Sequence, residues 1–325
     1  MEYLGRRIGI ALAILFHLGV AAAAAEPQVT LRAGKGDNPN HALAMEFAAT
    51  LNRPGSGAPR ILVEESQGSV QNVIDAAREH IRSLFTAPPN VIVEARRGDK
   101  PYGKNPRYQD VRALFPIPFQ TMHWVVRKDS QVQSFADLAG KPFIPGTRGS
   151  FGERQTAALL KILGLENKLQ LIDIDSAGAS QALKSNQVIG FALSGAYPIA
   201  SLKSLAGEVP LQLLSLTPDE QKQLLTSDGT TVAMTIPKGT YPGIDQDVAT
   251  VALPAGVYTT RHMSENEAYH ITKAFWTGRA LLAHNSPVWQ AVTPDWLGVL
   301  GAQLHPGALK YYREAGIKVP PAPHK

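Results

Sequence analysis

The sequence predicts an α/β fold built as two lobes. Three observations carry this expectation. Strand-like runs alternate with helix-like runs at a spacing that suits a parallel sheet with crossover helices. The chain has 325 residues and no cysteine, so its stability rests on a core large enough for two lobes and not on disulfides. Two apolar segments, Val111 to Lys128 and Thr250 to Tyr258, read as an outward and a return crossing between the lobes.

Met1 to Ala25 reads as a cleavable secretory signal. Arg6 and Arg7 give it a charged start, Ile8 to Val20 is mostly apolar, and Ala23-Ala24-Ala25 offers the small residues of a cleavage site before Glu26-Pro27. The apolar part is shorter than the roughly 20 residues of a membrane span. Gly5-Arg6-Arg7-Ile8-Gly9 lacks the flanks of a twin-arginine signal, and without cysteine a lipoprotein anchor is excluded. The same lack excludes thiol nucleophiles and Cys-ligated metals. A formal charge of +5, one unit lower without Glu2, Arg6 and Arg7, suits an anionic ligand. No basic run interleaved with aromatics argues for nucleic acid.

Val29 to Ala33 alternates as a strand and enters Gly34-Lys35-Gly36-Asp37-Asn38-Pro39-Asn40, followed by a helix from His41. This loop lacks the third glycine of a dinucleotide fingerprint and any Walker pattern. Lys35, Asp37 and Asn38 are candidates to reach a ligand there, or are turn and cap residues. Arg60 to Glu65 is a second strand, and the Gln67-Gly68-Ser69 turn opens a helix with Val70, Val73, Ile74 and Ala77 on one face. Ser83 to Ala87 is a third strand, ended by Pro88-Pro89, and Ala95 to Arg107 reads as an exposed excursion. Because ligands of open α/β sheets bind beyond the carboxyl ends of the strands, Ser69 and Thr86 join the candidates.

Val111 to Lys128 reads as a pair of strands, and His123 beside Trp124 as a packed imidazole. The second lobe opens with Ser134 to Lys141 and then with Pro145-Gly146-Thr147-Arg148-Gly149-Ser150-Phe151-Gly152 between a strand and a helix. A helix N-terminus exposes unpaired N–H groups and a positive dipole end, and glycine lets an anion approach them. Thr147, Gly149 and Ser150 are therefore candidate ligand contacts, although an ordinary Ser-capped helix has the same pattern. Leu169 to Ile174, Ala182 to Phe191 and Val209 to Leu216 continue the alternation. Tyr197 covers a ligand or is a half-buried ring. The tail is mainly helical, with Trp276, Trp289 and Trp296 as packing residues. No H-E-x-x-H, no G-x-S-x-G and no distinctive carboxylate pair occurs, and His262 and His270 lack a third ligand, so neither an enzyme nor a metal or other cofactor is expected.

Several of these stretches, in this order, resemble the TAXI family, the extracytoplasmic solute receptors of TRAP transporters. They are Gln67 to Asn72, Trp124 to Ser130, Ser134 to Lys141, the Gly149-Ser150 turn, Ser194 to Pro198, Ile236 to Gly243, and Leu304 to Ala308 with Tyr311-Tyr312. The resemblance implies a periplasmic receptor of the type II-like two-lobed fold with the ligand cleft between lobes. Residues 26–128 with 246–325 would form one lobe and 129–245 the other. Its implied ligand is a small organic anion, a carboxylate or amino-acid-like molecule, and its implied partners are TRAP permease membrane subunits. A periplasmic sensor subunit reporting to a membrane signalling protein needs the same cleft. Three loops depart from the family pattern. Gly36 to Asn40 replaces an aromatic segment, Phe151 and Gly152 replace the Gly and Thr of a Gly-Ser-Gly-Thr turn, and Pro88-Pro89 interrupts a polar run. Phe151 thereby becomes a candidate contact, and a different ligand, or loss of the transport role, is implied.

Overall fold

In the computed structural model, which describes residues 28–34, 39–78 and 83–321, the first strands are Gln28–Arg32 (β1), Arg60–Glu64 (β2) and Leu84–Ala87 (β3). β1 lies between the other two and is parallel to both. A helix follows each strand: Pro39–Leu51 (α1), Ser69–Arg78 (α2) and Pro89–Arg97 (α3). α2 buries Val73, Ala76 and Ala77 along one face, as its apolar spacing dictates. The sequence ends the third strand at Pro88-Pro89 and suggests an excursion from Ala95, whereas Pro89 opens α3, which runs to Arg97. Proline is pre-set for this first position, because its φ is already helical and its missing N–H would have no partner there. The expected signal segment 1–25 lies outside the described residues, as do Lys35, Asp37 and Asn38. Among the described residues no helix is long and apolar enough to cross a membrane.

Val111–Arg127 forms one continuous strand of 17 residues, β4, and not a pair. Pro116 and Pro118 suggest a break, yet β4 stays paired with its neighbour through Pro116 and Ile117, and the irregularity falls at a bulge in which Pro118 and Phe119 of β4 stand opposite Pro254 alone. The chain continues through Pro142–Ile144 (β5), Phe151–Ile162 (α4), Gln170–Leu171 (β6), Ser176–Lys184 (α5) and Gly190–Gly195 (β7). Ala200–Glu208 (α6), Leu211–Leu213 (β8), Pro218–Asp228 (α7) and Val232–Ile236 (β9) follow. Val248–Thr260 (β10) returns, and Glu265–Asn285 (α8) and Pro306–Glu314 (α9) close the chain, with 3₁₀ turns at Pro287–Ala291 and Pro294–Val299 between them.

The described strands form one sheet of order β2-β1-β3-β10-β4-β7-β5-β6, with β8 on β4 and β9 on β10. Their directions place the cleft. β10 is antiparallel to both β3 and β4, so β3 and β4 run the same way. β7 is antiparallel to β4 and parallel to β5, so β5 and β7 run the opposite way. Ala87, ending β3, is level with Pro116 of β4 through Gly256, and Gly195, ending β7, is level with Thr121. The two carboxyl edges therefore face each other across five residues of β4, about 17 Å of strand.

Three large apolar clusters surround this arrangement. One holds Phe47, Phe115, Phe275 and Trp289, with Phe115 and Phe275 stacked at 4.0 Å between ring centroids. Two others flank β5 and β7, one around Leu183, Phe191 and Ile236, the other around Trp124, Phe135 and Phe143. A small cluster of Phe119, Met234 and Ala252 lies where the crossing strands pass between them, with Tyr197 and Trp296 packed on it. The fold is α/β and two-lobed.

Candidate functional site

On the carboxyl edge of β5 and β7 a cavity of about 540 Å³ opens, lined by Gly146, Thr147 and Ser150 from the turn after β5, by Ser180 of α5, by Ser194 at the end of β7 and by Ser201 of α6. Ile144, Phe191 and Leu193 supply apolar wall. Among the described residues no ionisable side chain lines it. The residues in contact with this space are thus hydroxyls, backbone and aliphatic carbon.

Gly146 makes the turn feasible. Its φ is +123°, and a Cβ there would lie 2.6 Å from the Glu153 amide, so no side chain fits. Ser150 caps α4, its hydroxyl accepting from the Glu153 N–H at 3.1 Å, and the Ser150 N–H donates to the Thr147 carbonyl at 2.9 Å. The Glu153 carboxylate reaches back to accept from the Gly149 N–H, one residue before the cap. The Arg154 guanidinium donates to the Gly149 carbonyl at 2.8 Å. One amide of the expected anion turn therefore already holds a carboxylate, and it is the chain's own. Arg148 pairs with Asp173, both largely exposed, where solvent leaves such a pair little net worth.

Thr147 and Ser150 line the cavity, and Gly149 stands on the exposed turn beside it. Phe151 is 7% exposed and joins the cluster of Trp124 and Phe135, so its ring fills the core and is absent from the cavity wall. Tyr197 follows β7 and faces another space. This is a hinge pocket of about 10 Å³, lined by Ile117 and Phe119 of β4, by Met234 and by Val292 and Trp296. The Tyr197 hydroxyl donates to the Thr235 carbonyl at 3.4 Å, and burial raises its pKa. Phe119 and Trp296 meet edge-on at 5.1 Å.

On the opposite edge Ser69 begins α2, half-buried, and Thr86 is buried within β3. Sequence reasoning missed two residues here. The Ser66 hydroxyl accepts from the Gly34 N–H at 2.8 Å and from the Gly68 N–H at 3.3 Å. Asn72, buried, donates from Nδ2 to the Arg32 carbonyl at 3.3 Å and the Thr86 carbonyl at 3.2 Å, tying the ends of β1 and β3 together. Its signal was the polar residue that closes the Gln67 to Asn72 stretch inside an otherwise apolar face.

Near the crossing, His123 is fully buried. Its Nδ1 lies 3.0 Å from the Thr121 carbonyl and its Nε2 lies 2.8 Å from the Tyr241 hydroxyl, which accepts from the Ile199 N–H at 2.9 Å. A carbonyl only accepts, so Nδ1 carries the proton and Nε2 accepts from Tyr241. Burial pushes the imidazole pKa down to about 4 and the Tyr241 phenol up. Among the described residues no group of three or more His, Asp or Glu side chains is placed to hold a metal ion.

A family model described as NMT1-like matches residues 42–316. The chain belongs to the NMT1-like family. Among solved structures, this NMT1-like chain is similar to a TctC solute binding protein from Polaromonas. The two are 12% identical with a TM-score of 0.53, over 83% of this chain and 88% of that one. It is also similar to the periplasmic aliphatic sulphonate binding protein SsuA from Escherichia coli, at 13% identity and a TM-score of 0.42 over 89% and 82% of the two chains. The periplasmic binding protein BugD matches at 15% identity and a TM-score of 0.45, over 90% and 99%. The likeness to the Polaromonas protein shows the fold.

Proposed function

We propose that this chain is a periplasmic solute receptor, and no enzyme, that binds a small organic anion between lobes formed by residues 26–128 with 246–325 and by residues 129–245. The observation that carries the reading is the hydroxyl-lined cavity at the start of α4, with no ionisable side chain among its described residues, set on one of two carboxyl edges that face each other. Hydroxyls, amides and a helix N-terminus hold an anion without a counter-cation. Membership of the NMT1-like family and the two-lobed fold support it. The order of short motifs favours the TAXI receptors and delivery to a TRAP permease, with the signal at 1–25 taking the protein to the periplasm. A receptor of this kind is expected beside genes for the permease subunits.

The test is thermal unfolding against a panel of small carboxylates and amino acids. A specific anion raises the midpoint by mass action, equivalent to about 2.7 kcal/mol at a hundredfold excess over its Kd. Ser150→Ala lowers the starting midpoint through the lost cap, so the increment per added anion is compared. A smaller increment in the variant supports the reading. No shift across the panel, or an increment that the variant leaves whole, overturns it.

A further inference from the structure

The site described above leaves one buried polar pair without a task. His123 and Tyr241 are 1% and 2% exposed, and their rings meet edge-on at 5.6 Å between centroids. Neither lines the hydroxyl cavity. They are nevertheless the middle of a hydrogen-bond chain whose two ends both lie at the cleft. At one end the His123 Nδ1–H donates to the Thr121 carbonyl at 3.0 Å. Thr121 lines the hinge pocket and is level with Gly195, where β7 ends. At the other end the Tyr241 hydroxyl, which donates to His123 Nε2 at 2.8 Å, accepts from the Ile199 N–H at 2.9 Å. Ile199 lines the cavity, as do Ser201 and Leu202 in the first turn of α6.

The start of α6 needs such a peg. Ile199 is its N-cap and has no side-chain oxygen to cap the first turn, and Pro198 before it has no N–H to bond. Gly195 leaves the space that Ile199 fills, since a Cβ there would lie 3.1 Å from Ile199 Cδ1. Tyr241 can accept from Ile199 while donating to His123 because a neutral imidazole keeps a lone pair at Nε2. We propose that Tyr241, oriented by His123, is a positioning residue for the ligand: it holds the Ile199–Leu202 wall of the cavity in register with the crossing strand β4. The inference rests on the receptor reading above. Neither side chain touches the ligand. A wall already set in place spares the ligand the cost of ordering it, and a ligand pressed against that wall perturbs the hydrogen bonds behind it.

The experiment measures Kd by calorimetry for glutamate, succinate and malate, together with unfolding midpoints, in the parent, Tyr241→Phe, His123→Leu and His123→Gln. Tyr241→Phe and His123→Leu are expected to bind the tightest of these anions about tenfold more weakly, as loss of a buried hydrogen-bond partner implies. His123→Gln, whose amide keeps an acceptor for the phenol, is expected to bind closer to the parent than His123→Leu does, even though its midpoint falls. Nitrogen NMR supplies a readout that packing alone does not move. The His123 ring nitrogens, identified by their absence in His123→Gln, are expected to shift on saturation with the anion in the parent and to stay put in Tyr241→Phe. Unchanged affinity in folded Tyr241→Phe overturns the inference and leaves the receptor reading standing, as do ring nitrogens that ignore the anion in the parent. Affinities that follow the unfolding midpoints, with no rescue in His123→Gln, overturn it too and assign both side chains to the core alone. If Tyr241→Phe does not fold, the parent spectrum and the two histidine variants decide. A set in which no anion binds the parent overturns both readings.

Discussion

Protonation at His123 sets how the protein responds to acid. In the folded chain the imidazole is neutral, its pKa pushed down to about 4 by burial, whereas an exposed histidine takes a proton near 6.5. Between those values the unfolded chain binds a proton that the folded chain does not. Stability therefore falls as pH drops from about 6.5 to about 4, by about 3 kcal/mol from this group alone, and this contribution changes no further below that. Urea midpoints at pH 7 and pH 5 check this. His123→Gln should unfold earlier at pH 7 and lose less between the two pH values than the parent. An equal loss in both would assign the acid sensitivity elsewhere. His305 adds to the same trend, since burial lowers its pKa too.

At the scale of the element, α4 is where the proposed anion is tested. Glu153 already fills the Gly149 amide, so a ligand carboxylate seated on that turn meets a like charge. Glu153→Gln keeps a side-chain oxygen to accept from the Gly149 N–H and removes the repulsion. An anion that binds there should bind roughly fivefold tighter to the variant, the equivalent of about 1 kcal/mol, which is the repulsion of two unit charges about 4 Å apart in water. An unchanged Kd would place the anion away from the α4 amides. Much of this element was legible beforehand, because glycines between an apolar strand and an apolar-periodic helix have few other structural solutions. Phe151 shows the limit. Its place where the family turn has glycine suggested a ligand contact, but which face of the first turn meets the core depends on Trp124 and Phe135, which belong to other elements. The continuity of β4 past two prolines was hidden likewise, since it depends on what β10 offers opposite them. Ser66 and Asn72 matter through the Gly34 amide and the Arg32 and Thr86 carbonyls, brought close only by the folded sheet.

At the scale of the whole molecule, closure of the lobes should be visible at Trp296. Trp124 and Trp289 are buried within single clusters and Trp276 packs on the core of the first lobe. Trp296 is half-buried against Phe119 in the pocket shared with Tyr197 and Met234. A ligand stabilises the closed form only through contacts that it makes better there, and those contacts move the Trp296 surroundings. Ligand-induced change in tryptophan fluorescence is expected in the parent and absent in Trp296→Phe; a change that survives the substitution would locate the pivot elsewhere. The position of β10 also dictates an order of assembly. Ala87 waits for Gly256, and Pro116 waits for the same strand, so the first strands made cannot be joined to the rest until nearly the last strand has been synthesised. Such long-range pairing is slow. On the export route proposed above, such a delay gives the chain time to cross unfolded, because the sheet can be completed only after the carboxyl-terminal quarter has followed the first strands.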